Sequence, residues 1–168
     1  MAAKPWGHSE IIKEQVKKLK AMKGYSVSAG WFETARYQAA KGVPQQMVGV
    51  PIATIAKINE YGASIQRGKT KVIIPARPFM RLAAQSVKKK GPDVTRKLAR
   101  KIVDGKIDIK QALAQLGMFM EGEIVNSIKN GGWVRNAPST IKKKGFDKPL
   151  IDTAQMWQSV SSKVSEPK

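Results

Sequence analysis

The chain has no cysteine, one histidine and few acidic residues, and each shortage removes a class of chemistry. Without cysteine, neither a disulfide framework nor a cysteine-ligated zinc site can form. The single histidine, His8, lies in the first residues of the chain, so no nucleophile with a positioned imidazole base is expected. The 12 Asp and Glu residues are dispersed, without an H-E-x-x-H or EF-hand pattern. The residues therefore predict no metal site, no cofactor and no enzyme activity.

Long apolar runs are also absent. No stretch approaches the ~18 apolar residues that a membrane helix needs, and the first residues contain no apolar segment of a secretion signal. We expect a soluble chain that carries no export signal and has no membrane partner.

Two short features invite an enzymatic interpretation and do not sustain it. Gly68-Lys69-Thr70 lacks the leading glycine of a phosphate-binding loop, so we interpret it as an ordinary loop. Glu60 has no second carboxylate or histidine near it in sequence, whereas general acid–base chemistry requires a positioned partner. We predict a structural role for Glu60.

Positive charge is abundant and evenly spread. The formal net charge is +19, with 14 Lys and Arg against 4 acidic residues in the first 84 positions and 17 against 8 in the remaining 84. Such an excess favours an anionic partner or an acidic protein surface, because self-repulsion contributes nothing to the fold. The alternative is a basic protein whose charge serves solubility alone.

The apolar pattern predicts a single α+β domain over residues 1–168, with one small antiparallel sheet packed against helices. We expect a flexible arm at 1–8, a protruding loop at 36–50 and a tail at 165–168. A loop as long as 36–50 is usually functional or mobile, although an insertion without consequence is equally compatible. The predicted elements are helices at 9–24, 51–61, 79–90, 93–103 and 108–130, and strands at 25–32, 71–75 and 156–164.

The helix at 108–130 has the clearest signals, and we expect it to be the long core helix against which the sheet packs. Asp108 followed by Gln111 matches a capping box, and apolar residues then recur at helical spacing as far as Asn130. The preceding helices are expected to break at Gly91-Pro92, with Asp93 capping the second. The break would place Lys88, Lys89 and Lys90 at a helix C-terminus, where cations are favourable.

The stretch 133–160 mixes large apolar residues with two prolines, a lysine triplet and an Asp-Thr pair. Pro138 predicts a helix start, and Gly145 after Lys144 predicts a C-cap. Asp152 and Thr153 can close a turn through side-chain hydrogen bonds. A last strand from Met156 to Val164 would follow.

Three blocks in this order carry a family resemblance: P-I-A-T-I-A-K-I-N-E-Y-G-A at 51–63, I-P-A-R-P-F-M-R at 74–81, and W…P-S-T-I…K-G…K-P-L-I-D-T…M…S-V at 133–160. Together they resemble the small tail-completion or head–tail joining (neck) proteins of tailed bacteriophages. The chain departs from that family at Ala154, where glycine is usual, and at 134–137, which replace a Trp-x-Pro-Leu run. Alanine adopts positive φ poorly, so the substitution argues against a positive-φ turn at 154.

The resemblance implies a virion protein, assembled in the host cytoplasm, that forms a homo-oligomeric ring at the neck or tail end, with a hexamer favoured. Its partners would be other copies, the connector, the tail-tube or terminator proteins and, transiently, the genome DNA. We predict an interface with neighbouring proteins and a DNA-facing lysine set. The interface comprises Arg77, Pro78, Phe79, Trp133, Pro149, Leu150, Asp152, Thr153, Met156 and Trp157, and the DNA-facing set comprises Lys88, Lys89, Lys90, Lys142, Lys143 and Lys144.

Two questions stay open at this point. Met156 and Trp157 suit an interface, where a few large anchors hold most of the binding energy, and equally suit the chain's own core. The alternative function is a free-standing basic nucleic-acid-binding module, which would need aromatic residues interleaved with a basic patch. Most aromatics here fall on apolar faces instead, and an enzyme is a weaker third hypothesis.

Overall fold

The computed structural model describes residues 7–167 and shows an α+β fold, as predicted. The predicted arm lies mostly outside the described residues, and Gly7 and His8 begin the first helix. In chain order the elements are α1 Gly7–Lys20, β1 Ser26–Gly30, a 3-10 turn Gln45–Met47, α2 Ile52–Tyr61, β2 Ala63–Arg67, β3 Thr70–Ile74, α3 Phe79–Val103, α4 Ile109–Asn130, α5 Pro138–Lys144, α6 Gln155–Gln158 and β4 Ser161–Ser165.

Helices α3 and α4 pack along each other and form the centre of the molecule. The capping box at Asp108 and Gln111 is present, with both reciprocal hydrogen bonds formed. The main core joins these helices to α2 and α6, and Trp31 meets the Phe79 ring edge-on at 5.9 Å between centroids. Its buried members are Ile52, Ala56, Phe79, Ala83, Ile124, Ile128 and Met156.

The predicted helix break at Gly91-Pro92 is wrong, because α3 continues through both residues. Proline removes one backbone hydrogen bond, at a cost of about 3 kcal/mol in a helix interior. Contacts with α4 on the N-terminal side and burial of Leu98 and Ile102 on the C-terminal side offset this cost. Asp93 is therefore not a cap but lies within the helix, where it pairs with Arg96 at 2.7 Å.

The strands form two separate two-stranded antiparallel sheets, so the expectation of one sheet is also wrong. Strand β1 pairs with β4 in the register Ser26↔Ser165 to Gly30↔Ser161. This sheet packs on α4 where Gly117 allows a close approach, since a Cβ there would lie 2.7 Å from the Cβ of Ser162.

The second sheet is a hairpin, β2–β3, in the register Ala63↔Ile74 to Arg67↔Thr70. Its strand β3 agrees with the predicted strand, whereas β2 was not predicted. The hairpin turns at Gly68 and Lys69, which agrees with the interpretation of Gly68-Lys69-Thr70 as an ordinary loop for its first two residues, whereas Thr70 begins β3.

The predicted last strand at 156–164 begins too early. Met156 and Trp157 lie in the short helix α6, and the strand comprises only Ser161–Ser165. The Ser159 hydroxyl donates to the carbonyl of Gln155 at 2.6 Å at the end of the helix, before the strand starts.

The predicted tail at 165–168 is partly ordered by contacts with the fold. Ser165 ends β4, and Glu166 pairs with Lys110 at 2.7 Å. Lys168 lies outside the described residues.

The loop 36–50 folds back on itself. A bridge between Arg36 and Pro51 closes its base, and Tyr37 exchanges backbone hydrogen bonds with Val50 at 3.0 Å and Gly49 at 2.8 Å. The excursion is thus hydrogen-bonded at its base.

Candidate functional site

The stretch 133–153 is held in place by a buried arginine. Arg77 is 5% exposed, and its guanidinium donates to the carbonyl of Val134 at 3.1 Å and to the side-chain oxygens of Asn136 at 3.3 Å and Asn59 at 3.4 Å. Burial lowers the pKa of Arg77, and the carboxylate of Asp147 opposes this shift. Arg77 therefore fixes the 134–136 segment against α2, and its hydrogen-bonding capacity is largely used within the chain.

Trp133 folds back over the end of α4. Its indole N–H donates to the carbonyls of Ser127 at 3.1 Å and Ile128 at 3.3 Å, which are among the carbonyls left free at the helix end. A Cβ on Gly131 would clash with the indole ring. Trp133 thus closes α4 and starts the irregular segment that follows.

Helix α5 forms as predicted, with Pro138 in its first turn and Gly145 as a left-handed C-cap at φ 80°. An ion pair between Arg135 and Asp147, at 2.6 Å, joins the two segments that flank this helix. The hydrogen bond from Arg135, assisted by one from the Asn136 N–H, lowers the pKa of Asp147.

Residues 149–154, which we call the strap, have an unusual backbone. Leu150 and Ala154 adopt φ values of 63° and 64°, so the turn at 154 has a positive φ although alanine argues against one. Left-handed conformations cost non-glycine residues roughly 1–2 kcal/mol each. The Lys144 ammonium supports the strap by donating to the carbonyls of Lys148, at 2.9 Å, and Ile151. Burial lowers the pKa of Lys144.

A cavity of about 430 Å³ lies between the strap, α5, the 36–50 loop and the hairpin. Its wall includes Tyr37, whose pKa is raised by burial and by the carboxylate of Asp152. The cations in the wall, Arg77 and Lys144, already donate to backbone carbonyls. The cavity is therefore better described as a consequence of the irregular strap than as a built ligand site.

The predicted interface residues fall into three groups by exposure. Arg77, Phe79 and Met156 are buried, so for Met156 the core alternative holds. Asp152 alone is exposed, and its side chain makes no hydrogen bond that would close a turn within the described residues. The remaining members are half-buried: Pro78, Trp133, Pro149, Leu150, Thr153 and Trp157, the last with the Lys129 ammonium 3.5 Å from its ring centroid.

The predicted DNA-facing lysines also divide. Lys88, Lys89, Lys142 and Lys143 are exposed and have no acidic partner within ion-pair distance in the described part of the chain. Lys90 pairs with Glu123 of α4 at 2.9 Å. Lys144 turns toward the strap, so it supports the fold and is the least available of the six to an anion.

The β2–β3 hairpin is a surface that the sequence prediction missed. Strands β2 and β3 contact each other extensively, and neither strand makes extensive contacts with a helix. Ile65 and Val72 are 40% and 39% exposed, and Ile73 is 69% exposed. A two-stranded hairpin is marginal on its own in water, so this element is suited to packing against another surface.

An apolar groove of about 540 Å³ runs between α2, α3 and the edge of β1 that no strand within residues 7–167 pairs with. Trp31, Ala56, Met80 and Ala84 are among the residues that line it. An unpaired strand edge beside apolar side chains can accept an added strand.

Among residues 7–167, no group of three or more His, Cys, Asp and Glu side chains is arranged to hold a metal ion, and no helix is long and apolar enough to cross a membrane. Comparison of the chain with known protein families, curated proteins and solved structures finds no match.

Proposed function

We propose that the chain is a structural virion protein that forms a closed homo-oligomeric ring at the head–tail junction or tail end of a tailed bacteriophage. It completes the tail and joins it to the head around a channel for DNA. The sequence blocks at 51–63, 74–81 and 133–160 supply the resemblance on which the virion role rests.

The observation that carries self-assembly is the exposed apolar hairpin. Ile65, Val72 and Ile73 present branched side chains on an element with little support from its own subunit. The same chain bears the apolar groove beside β1. A hairpin of one copy seated in the groove of the next is a head-to-tail contact, and such contacts generate rings when the rotation closes.

Complementary variants test this arrangement. Ile73→Lys places a charge on the hairpin, and Ala84→Arg fills the groove. Each variant alone is expected to be monomeric by light scattering and to unfold cooperatively, whereas the wild type gives one closed species that melts at a higher temperature because assembly stabilises the folded subunit. Mixing the two is expected to give dimers only, because a single competent contact remains between an intact hairpin and an intact groove.

Met118→Lys is the matched control, since Met118 is an exposed apolar residue of α4 outside both surfaces. It is expected to leave assembly intact. A wild type that stays monomeric both alone and on its neighbouring ring, or a virion reconstruction with one copy or none at the junction, contradicts the proposal.

A further inference from the structure

We infer that the outward side of α3 between Lys88 and Lys101 is a binding surface for the phosphate backbone of duplex DNA. This part of α3 carries seven Lys and Arg residues against one acidic residue, Asp93. The seven are all exposed, whereas Gly91, Leu98 and Ile102 of the same helix are buried. The seven, which we call the α3 basic face, are Lys88, Lys89, Lys90, Arg96, Lys97, Arg100 and Lys101.

The continuity of α3 creates this face. A break at Gly91-Pro92 would leave two short basic helices with independent directions, whereas one helix places both groups along a single rod. Lys89, Lys97 and Arg100 are 8 and 3 residues apart, which at ~100° per residue keeps them within about a quarter of the helix circumference. They extend over about 16 Å at 1.5 Å per residue.

Little of this charge is neutralised within the chain. Lys90 pairs with Glu123, and Arg96 pairs with Asp93. Lys101 has no acidic partner in the described residues but donates to the side-chain oxygen of Gln115 on α4 at 3.4 Å, so it is directed towards the neighbouring helix. Lys88, Lys89, Lys97 and Arg100 have neither an acidic partner within ion-pair distance nor a side-chain hydrogen bond in the part of the chain that the structure describes, and we call these four the unpaired cations. A face that serves solubility alone usually mixes both signs, so this concentration of one sign favours an anionic partner.

The shape of the face favours an extended polyanion over a small one. None of the four unpaired cations converges on a common point, and a row of about 16 Å matches roughly five phosphates of one strand at ~3.4 Å each. Contacts of this kind neutralise phosphates without reading base edges, so binding is sequence-independent. The choice of duplex DNA among polyanions rests on the proposed function.

The test measures binding of the full chain to labelled duplexes of two unrelated sequences by fluorescence anisotropy, between ~50 and ~200 mM salt. Four unpaired cations predict a log–log salt slope of about −3.6, at ~0.9 per phosphate, for both sequences. Replacing Lys89, Lys97 and Arg100 by Gln is expected to reduce the slope to about −1 and to weaken binding at least tenfold at the lowest salt.

The matched control replaces Lys23, Lys41 and Lys163 by Gln, which removes the same charge from exposed positions outside α3 and outside the groove. An equal loss in this control overturns the inference, because net charge alone would then explain binding. Strong sequence preference, or binding to phosphatidylserine vesicles in place of DNA, also overturns it. Light scattering on the same samples, alone and with the neighbouring ring, keeps the two proposals apart, since a protein that stays monomeric in both cases and shows the predicted slopes contradicts the ring and leaves the α3 basic face standing.

Discussion

Glu60 provides a sharp test of how the fold is held together, because it caps a helix to which it does not belong. It is 4% exposed at the end of α2, and its carboxylate accepts from the N–H groups of Met80 at 2.8 Å and Arg81 at 3.3 Å, in the first turn of α3. The N-cap residue of α3, Pro78, has no side-chain acceptor. The Arg81 side chain completes the arrangement with an N–H donated to Glu60 at 3.0 Å.

Replacing Glu60 with alanine removes the cap and leaves two first-turn donors without a partner. Loss of a cap costs about 1 kcal/mol, and hydrogen bonds to a charged group contribute about 1.5–3 kcal/mol. We expect Glu60→Ala to lower the free energy of unfolding by about 3 kcal/mol, and Glu60→Gln, which keeps one acceptor oxygen, by about half as much. A loss of 3 kcal/mol corresponds to about 6–12 °C in melting temperature for a chain of this size.

The assay is urea unfolding followed by tryptophan fluorescence, with the denaturant midpoints compared at constant slope. Glu33→Ala is the control, since Glu33 is an exposed carboxylate outside the cap. A loss below about 0.5 kcal/mol for Glu60→Ala, within the range of ordinary surface changes, would refute the capping role. In that case the buried carboxylate would need another explanation, and the catalytic interpretation would regain weight.

Three further predictions concern other contacts. Gly117→Ala is expected to destabilise by about 1–3 kcal/mol through its clash with β4, whereas Gly122→Ala on the same helix, where a Cβ meets nothing, should stabilise by up to ~1 kcal/mol in the same urea assay. Hydrogen bonds from Lys90 and Ser86 lower the pKa of Glu123, so its contribution is present near neutral pH and lost as the pH falls through that lowered pKa. Glu123→Gln should therefore destabilise at pH 7, and its difference from wild type should vanish in acid. Trp157→Ala should lower both melting temperature and particle incorporation, whereas Asp152→Ala should affect incorporation alone if the strap contacts a neighbour.

Elements with local signals were predictable. The capping box of α4 and Gly145 after α5 satisfy backbone groups within a few residues. Pro138 suits the first turn of α5, and Gly62 ends α2 at a φ of 75°, which favours glycine. The sequence around these positions is therefore sufficient. The hairpin was within reach too, because A-S-I-Q alternates before the Gly68-Lys69 turn and T-K-V-I-I after it is rich in β-branched residues. The continuity of α3 could not be predicted in this way, because the helix-breaking signal of Gly91-Pro92 is outweighed by contacts with α4, which begins 17 residues after Pro92.

The strap shows most clearly why the rest could not be predicted. The positive φ values at Leu150 and Ala154 are unfavourable for these residue types, so contacts made by the folded chain must offset them. Lys144 supplies some of these contacts, and others reach the residues directly after the strap from distant parts of the sequence. Gln155 exchanges hydrogen bonds of 2.8 and 2.9 Å with the backbone of Gln38, and the Trp31 indole donates to the carbonyl of Met156 at 2.8 Å. These partners lie more than 100 residues away in sequence. Because the strap conformation depends on the completed fold, alanine can stand where the resembling family has glycine, and the local pattern cannot reveal it.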